Sequence, residues 1–95
     1  MNTSLIPIAK LRLGRIVTTH TAMNCLSEED IFTAIRRHQA GDWGHLREQD
    51  HIANDQALVR GERILSAYQT SQGITFWLIT EADRSATTIL LPEDY

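Results

Sequence analysis

The stretch GITFWLITEADRSATTILLP, residues 73–92, decides the fold. It contains two runs, 73–82 and 86–92, that are rich in the β-branched and aromatic residues typical of strands. The polar segment DRS at 83–85 has the length of a hairpin turn. The first run is apolar on both faces, because Ile74, Phe76 and Leu78 alternate with Trp77 and Ile79. Such a strand is either central and covered on both sides, or covered on one side and docked to a partner on the other.

A third β-rich run, RILSAYQT at 63–70, precedes this stretch and is separated from it by SQG at 71–73. The short polar separators predict an antiparallel three-stranded meander in the C-terminal part of the chain. Pro92 is expected to end the last strand, because proline cannot donate a hydrogen bond to a strand ladder.

Two helices are predicted before the meander. In SEEDIFTAIRRHQAGDWG (27–44), Ser27 is positioned as the N-cap, acidic residues fill the first turn, and Gly41 is the stop signal. A second helix is predicted over about 46–60, with Gly61 at its end and Asn54-Asp55 as a candidate interruption. One face of this helix is strongly polar, so it is expected to pack on one side only.

The N-terminal part is less patterned. The segment KLRLGRIVTT at 10–19 predicts a short strand from about 12 to 18 that joins an edge of the sheet, with Gly14 as a candidate bulge. Residues 1–9, which include Pro7, are expected to form a loosely ordered arm of a single domain spanning 1–95. The predicted fold class is α+β, with a three- to four-stranded antiparallel sheet and two helices packed on one face.

Composition limits the function classes. The 95 residues are 42% hydrophobic and 22% charged, as in an ordinary globular domain, and the formal net charge is −3. Tight nucleic-acid binders usually carry a basic excess, which is missing here, so nucleic-acid binding is disfavoured. Lys10 is the only lysine among nine basic residues, and arginine suits bidentate pairing and interfaces.

Cysteine and histidine usage gives no sign of a metal or cofactor. The single cysteine, Cys25, excludes an intramolecular disulfide and predicts a reduced, cytoplasmic protein. No signal peptide or membrane span is predicted. The histidines at 20, 38, 45 and 51 lack metal-ligand spacing and are expected at surface and capping positions. The familiar nucleotide, hydrolase and metal motifs are absent, which favours a non-enzymatic role without excluding an enzyme.

The segment GDWGH at 41–45 places a carboxylate, an indole and an imidazole between helices. Trp43 is either a core anchor at a helix–helix corner or, with His45, part of a binding or catalytic rim. In NDQALVRGER (54–63), Asp55 and Arg60 belong to a polar helix face. Arg63, at a strand start, is placed to lean toward Glu81 or Asp83 as a structural ion pair or as half of a site.

The turn TEADRS at 80–85 is the most informative polar stretch. Asp83 and Ser85 suit the turn itself, since both can accept hydrogen bonds from its backbone. Glu81 and Arg84 are not explained by turn chemistry. A metal-independent ribonuclease could use Glu81 as base, Arg84 for the phosphate and His45 as acid.

Four segments carry a resemblance to a known group of proteins: GDWG (41–44), NDQAL (54–58), GERILSAY (61–68) and TEADRSATTILLPEDY (80–95). They resemble small plasmid-related proteins encoded by bacterial plasmids, integrative elements and phages. The resemblance covers roughly residues 38–95, and residues 1–37 match only loosely, through LRLGRIVTT. The group brings no established catalytic residues, so the resemblance implies a context: antagonists of host defence, toxins or accessory regulators.

Three functions are therefore expected, in this order. The first is a non-enzymatic protein-binding module of a mobile element, acting as an anti-CRISPR or anti-restriction inhibitor and existing as a monomer or homodimer. The second is a small ribonuclease toxin of RelE- or barnase-like outline, and the third is a DNA-binding regulator. The expected partner-binding residues of the first are Trp43, Asp55, Arg60, Arg63, Glu81, Asp83 and Arg84.

Overall fold

The computed structural model describes residues 9–95, so the predicted N-terminal arm lies, apart from Ala9, outside the described residues. The elements follow one another as β1 (Arg15–Thr18), α1 (His20–Cys25), α2 (Glu28–Gln39), α3 (Glu48–Arg60), β2 (Ile64–Gln69), β3 (Thr75–Thr80) and β4 (Ala86–Leu90). A short 3-10 helix, Pro92–Asp94, follows β4. The fold class is α+β, as predicted.

The sheet has four strands in the order β1-β4-β3-β2. Strands β2, β3 and β4 form the predicted antiparallel meander. The N-terminal strand joins the sheet edge beside β4, as expected, but it runs parallel to β4 and makes the sheet mixed. A parallel neighbour requires a long crossover, and the helices together with β2 and β3 supply it.

The first strand is shorter than predicted, and a helix that was not predicted follows it. Gly14 precedes β1 instead of forming a bulge within it: its φ is +63°, and an added Cβ would lie 2.4 Å from the carbonyl oxygen of Arg84. Helix α1 begins after Thr19, whose hydroxyl accepts from the backbone N–H of Ala22. This local cap explains a one-and-a-half-turn helix that has no clear hydrophobic repeat in its sequence.

The other two helices match the sequence expectations. The hydroxyl of Ser27 accepts from the N–H of Asp30 at the start of α2, and Gly41 lies beyond its end with φ +80°. Helix α3 ends at Gly61, also left-handed. It continues without interruption through Asn54-Asp55, because the Asn54 amide points inward and donates to the carbonyl of Leu65, which joins α3 to β2.

All three helices cover the same face of the sheet, here called the inner face. One cluster joins α1 and α2 to Phe76 and Leu78 of β3. A second cluster joins Ala57 of α3 to Trp43 and to Ile64 of β2. The opposite, outer face carries Trp77 and Ile79 of β3, and in the described chain no α-helix packs on it. The two apolar faces of β3 therefore meet different surroundings.

Candidate functional site

The outer face of the sheet is partly covered by the residues that follow β4. The 3-10 helix Pro92–Asp94 turns the chain back onto β3, and the Tyr95 ring packs edge-on against Trp77, with ring centroids 5.9 Å apart. The carboxylate of Asp94 fixes this turn by accepting from the hydroxyls of Thr19 and Thr21, and these bonds hold its pKa below the ordinary value. Trp77 is left half-buried and Tyr95 exposed.

Arg63 connects this aromatic pair to the β3–β4 turn. Its guanidinium lies 5.5 Å from the centre of the Tyr95 ring, and its Nη1 donates to the Tyr95 hydroxyl at 3.0 Å. On the other side its Nε is 3.8 Å from Glu81 Oε1. The expected contact between Arg63 and Glu81 is thus present. We call the four residues Arg63, Trp77, Glu81 and Tyr95 the outer-face strip.

The strip is held by several weak contacts rather than one strong one. The Arg63–Glu81 pair is about half exposed, so solvent screens it and it contributes at most about 1 kcal/mol. The aromatic contact with Trp77 and the cation–π contact with Arg63 each add a similar small amount. The side chains are therefore pre-arranged but can adjust to a binding partner.

Arg84 has a structural position in the β3–β4 turn. Its backbone is left-handed, with φ +61°. Its guanidinium donates to three carbonyl oxygens, those of Ala57 (3.2 Å), Glu62 (2.6 Å) and Glu81 (3.1 Å). The Ala57 carbonyl already accepts from the N–H groups of Gly61 and Glu62, so Arg84 adds a further donor to the cap of α3 and ties the end of the helix to the turn.

Neither carboxylate of the turn pairs with the Arg84 side chain. Asp83 accepts from the N–H of Ser85 at 3.0 Å, as the turn chemistry predicted, and this contact lowers its pKa. Glu81 contacts Arg63 instead. The turn residues thus have separate roles: Asp83 shapes the turn, Arg84 anchors α3, and Glu81 belongs to the outer-face strip.

Trp43 lies in the core, which is the first of its two predicted placements. Its side chain is 1% exposed, packs edge-on against His38 at 5.7 Å, and donates from Nε1 to Asp55 Oδ1 at 2.9 Å. Asp55 therefore supports the core anchor from the surface. Arg60 is exposed in the last turn of α3 and forms no ion pair with any residue in 9–95.

The structure does not assemble the three residues of the ribonuclease hypothesis. The backbone N–H of His45 donates to Ala67, and the adjacent Gly44 bridges to that strand position. Ala67 lies three positions along β2 from Ile64, the residue that pairs with Thr80 just before Glu81. At about 3.3 Å per strand residue, this separates the two sites by about 10 Å along the strand. Within 9–95 no hydrogen bond or ion pair joins His45 to Glu81 or Arg84, and Arg84 contacts Glu81 only at its backbone carbonyl, not at its carboxylate.

The sequence reading missed a buried polar chain centred on His38. The expectation of a surface or capping position is wrong for this histidine, which is 0% exposed. Its Nδ1 lies 2.5 Å from Ser66 Oγ and its Nε2 lies 2.7 Å from Thr80 Oγ1. Thr80 continues the chain to Thr87 at 2.7 Å, and Thr87 donates to the carbonyl of Leu13 at 2.8 Å.

The hydrogen bond from Thr87 to Leu13 sets the direction of the hydrogen bonds that precede it in this chain. The Thr87 hydroxyl has one proton, which goes to the Leu13 carbonyl, so Thr87 must accept from Thr80. Thr80 has then used its own proton and must accept from Nε2–H of His38, which leaves Nδ1 to accept from Ser66. Because burial favours the neutral imidazole, His38 is the Nε2–H tautomer. Burial, with a smaller contribution from the positive charge of Arg84, lowers its pKa to about 4.

A second polar cluster lies where α2 meets β2. Arg37 donates from Nε and Nη2 to the Asp42 carboxylate, at 2.7 and 3.1 Å, and this pairing lowers the pKa of Asp42. The Arg37 guanidinium also lies 4.8 Å from the centre of the Tyr68 ring, whose hydroxyl donates to the Asp42 carbonyl at 2.7 Å. A shallow groove beside it is lined by Glu29, Asp30, Thr33, Arg37, Tyr68 and Gln69. The polar groups of this cluster are hydrogen-bonded to one another, and these bonds fix the corner after α2.

Comparison with known proteins assigns no family to the chain. No protein-family model, curated protein or solved structure matches it. Within residues 9–95, no cluster of histidine, cysteine, aspartate and glutamate has the arrangement of a metal site. In the same range, no helix has both the length and the apolar character needed to cross a membrane. The functional proposal therefore rests on the geometry of the outer-face strip and on the sequence.

Proposed function

We propose that this protein is a non-enzymatic protein-binding module whose contact surface is centred on the outer-face strip. One observation carries the proposal: the α-helices of the described chain cover one face of the sheet, while on the other face Tyr95 contacts both Trp77 and Arg63. A strand that is apolar on both faces and covered by helices on only one suits a second protein on the other.

The chemistry of the strip supports a protein ligand. Tryptophan, tyrosine and arginine are the residues most enriched among those that dominate binding energy at protein interfaces. The contacts of Tyr95 with Trp77 and Arg63 already restrict these side chains, which reduces the entropy lost on binding. Glu81 at the end of the strip adds a negative group that can select a basic residue on the partner.

The biological setting of the proposal comes from the sequence. The resemblance to plasmid-related proteins supports an origin in a bacterial mobile element and action in the cytoplasm as an inhibitor of a host defence complex, of the anti-CRISPR or anti-restriction type. Modest acidity and the absence of familiar catalytic motifs are compatible with such an inhibitor. In this proposal the strip binds a component of the defence complex and blocks its assembly or target binding.

The test is a comparison of matched charge reversals in a capture experiment. Tagged wild-type protein, Arg63→Glu and Arg36→Glu are expressed in a bacterial host with active restriction and CRISPR systems. Arg36 is exposed on α2, away from the strip, and serves as the control. We expect wild type and Arg36→Glu to retain a partner in stoichiometric amount and Arg63→Glu to lose it.

A functional readout accompanies the capture. Wild type and Arg36→Glu should raise plasmid transformation or phage plating in the same host, and Arg63→Glu should not. If no stoichiometric partner is recovered, or if Arg63→Glu retains the partner as well as the control does, the proposed surface is wrong. Growth arrest on expression, abolished by Glu81→Gln in a folded protein, would instead point to the toxin hypothesis.

A further inference from the structure

The two edges of the sheet differ in what lies beside them. At the β2 edge, the backbone of Ala67 exchanges hydrogen bonds with Trp43 and His45, so the segment between α2 and α3 protects that strand. At the other edge, no residue in 9–95 pairs with the outer side of β1. A strand edge with unpaired N–H and C=O groups is a template for another strand.

The hydrogen bonds of β1 show which of its groups point outward. The N–H of Arg15 donates to the carbonyl of Ser85, and that of Thr19 donates to the carbonyl of Ile89. The backbone N–H and C=O groups of the odd-numbered residues in this segment therefore point toward β4. Since the backbone groups of successive strand residues alternate in direction, the N–H and C=O of Ile16 and Thr18 face away from the sheet. The side chains of Ile16 and Val17 are 44% and 37% exposed.

We propose that two copies of this chain associate by antiparallel pairing of their β1 strands about a two-fold axis at Val17. In this register Ile16 lies opposite Thr18 of the second copy, and the two exchange both backbone hydrogen bonds. Symmetry repeats the exchange on the other side of the axis, so every outward N–H and C=O of Ile16 and Thr18 gains a partner. The pairing joins two four-stranded sheets into one continuous sheet.

The side chains of β1 fit this self-pairing. Val17 meets its own copy at the axis as a close apolar pair. Arg15 comes to lie opposite Thr19 of the second copy, whose hydroxyl donates to Asp94. Arg15 forms no ion pair with another residue in 9–95, and Asp94 is exposed, so opposite charges face each other at both ends of the pairing. This complementarity is specific to a second copy of the same strand.

The first experiment measures the oligomeric state of the full chain over a concentration series by sedimentation velocity. The interface is one short strand, so a weak dimer with rapid exchange is expected. Ile16→Pro removes an outward N–H without removing a bond to β4, and proline is tolerated at that side of an edge strand. We expect wild type to shift from one chain mass toward two with concentration and Ile16→Pro to stay at one, with an unchanged circular dichroism spectrum. A wild type that remains monomeric at millimolar concentration would overturn the proposal.

The second experiment tests the register. In a Cys25→Ser background, Val17→Cys places two thiols at the axis, in a non-hydrogen-bonded antiparallel pair whose spacing suits a disulfide. Oxidised glutathione should convert this variant to a covalent dimer much faster than Val59→Cys, a control on α3 whose side chain is more exposed than that of Val17. Ile16→Cys alone should link as slowly as the control, because its neighbour is Thr18 of the second copy. Equal rates for all three variants would contradict this register.

Discussion

The most informative single residue is His38, because its burial strongly favours the neutral imidazole. In this form Thr80 accepts a hydrogen bond from Nε2–H, and the Ser66 hydroxyl donates one to Nδ1. A protonated imidazole would donate at both nitrogens, so Ser66 would have to accept at Nδ1 instead of donating, and the charge would be buried without a carboxylate partner in residues 9–95. This arrangement makes the stability of the fold depend on pH.

We expect the free energy of unfolding to fall by about 2 kcal/mol between pH 7 and pH 5 because of His38. The unfolded imidazole titrates near about 6.5, whereas burial lowers the folded pKa to about 4, so between these values the unfolded state binds more protons. The stabilisation is complete above about pH 6.5 and is lost as the pH falls toward 4. Urea denaturation at closely spaced pH values measures the slope.

The matched variants for this prediction are His38→Gln and His45→Gln. The first should lower stability at pH 7 and flatten the slope between pH 7 and 5. The second, at an exposed histidine, should leave the slope as in wild type. If His38→Gln retains the full slope, His38 is not its source.

A second residue-scale prediction concerns Thr87, which ends the buried chain at the Leu13 carbonyl. Thr87→Val keeps the shape of the side chain but leaves Thr80 and that carbonyl without their partner, which costs about 1–3 kcal/mol. Thr88→Val, on the outer face and half-buried, is the control and should change stability by less than about 0.5 kcal/mol. Equal losses in the two variants would contradict the proposed proton order.

At the scale of elements, the β3–β4 turn does more than reverse the chain. Through Arg84 it caps α3, and through Glu81 it reaches Arg63 at the start of β2. Gly14 also passes so close to the turn that no side chain would fit there. The turn therefore fixes the positions of a helix, a hairpin and the segment before β1.

We expect Arg84→Gln to loosen the end of α3. The variant loses the donors to Ala57 and Glu62, and the unfolding free energy should fall by about 0.5–1.5 kcal/mol, the net contribution of an ordinary hydrogen bond. Amide hydrogen exchange in the last turn of α3 should accelerate, while exchange in α2 stays unchanged. Arg60 is exposed on the same helical turn, and Arg60→Gln should change neither the unfolding free energy nor the exchange rates. If Arg60→Gln changes them as strongly as Arg84→Gln does, the capping role of Arg84 is wrong.

The elements with local signals could be predicted from the sequence, and the remainder depended on distant contacts. Ser27 and Asp83 act through side-chain oxygens that accept from nearby backbone N–H groups, and Gly41 and Gly61 act through left-handed backbone conformations. No local pattern shows that β1 runs parallel to β4, because that pairing depends on the path of the intervening chain. The roles of His38 and Arg84 were missed for the same reason, since their partners are far away in sequence.

At the scale of the whole molecule, the two faces of the sheet serve different purposes. The inner face combines an apolar core with the closed polar chain at His38. The outer face is finished by the C-terminal residues, in which Asp94 binds Thr19 and Tyr95 covers Trp77. The run at 73–82 predicted a strand with two apolar faces. That Tyr95 covers Trp77 on one of these faces could not be predicted, because it depends on how the chain folds back after β4.

We expect Tyr95→Ala to expose Trp77 without unfolding the protein. The tryptophan emission maximum should move to longer wavelength, and stability should fall by about 0.5–1.5 kcal/mol, the usual size of an aromatic contact. In a Trp77→Phe background, where only the buried Trp43 emits, Tyr95→Ala should leave the maximum unchanged. A shift that persists in that background would show a general loosening of the core.

The parallel pairing of β1 with β4 also bears on how the chain is made. Leu13 and Thr87, which meet in the finished sheet, are 74 positions apart, so β1 cannot pair with β4 until the whole intervening chain has been made. The β2–β3 hairpin is local and can form first, on the microsecond scale of hairpins. Until β4 pairs with β1, β1 has no partner among the described strands and the buried polar chain at His38 lacks its last hydroxyl, that of Thr87. Completion of the buried polar chain is therefore a late step in folding, set by the slow closure of a long loop.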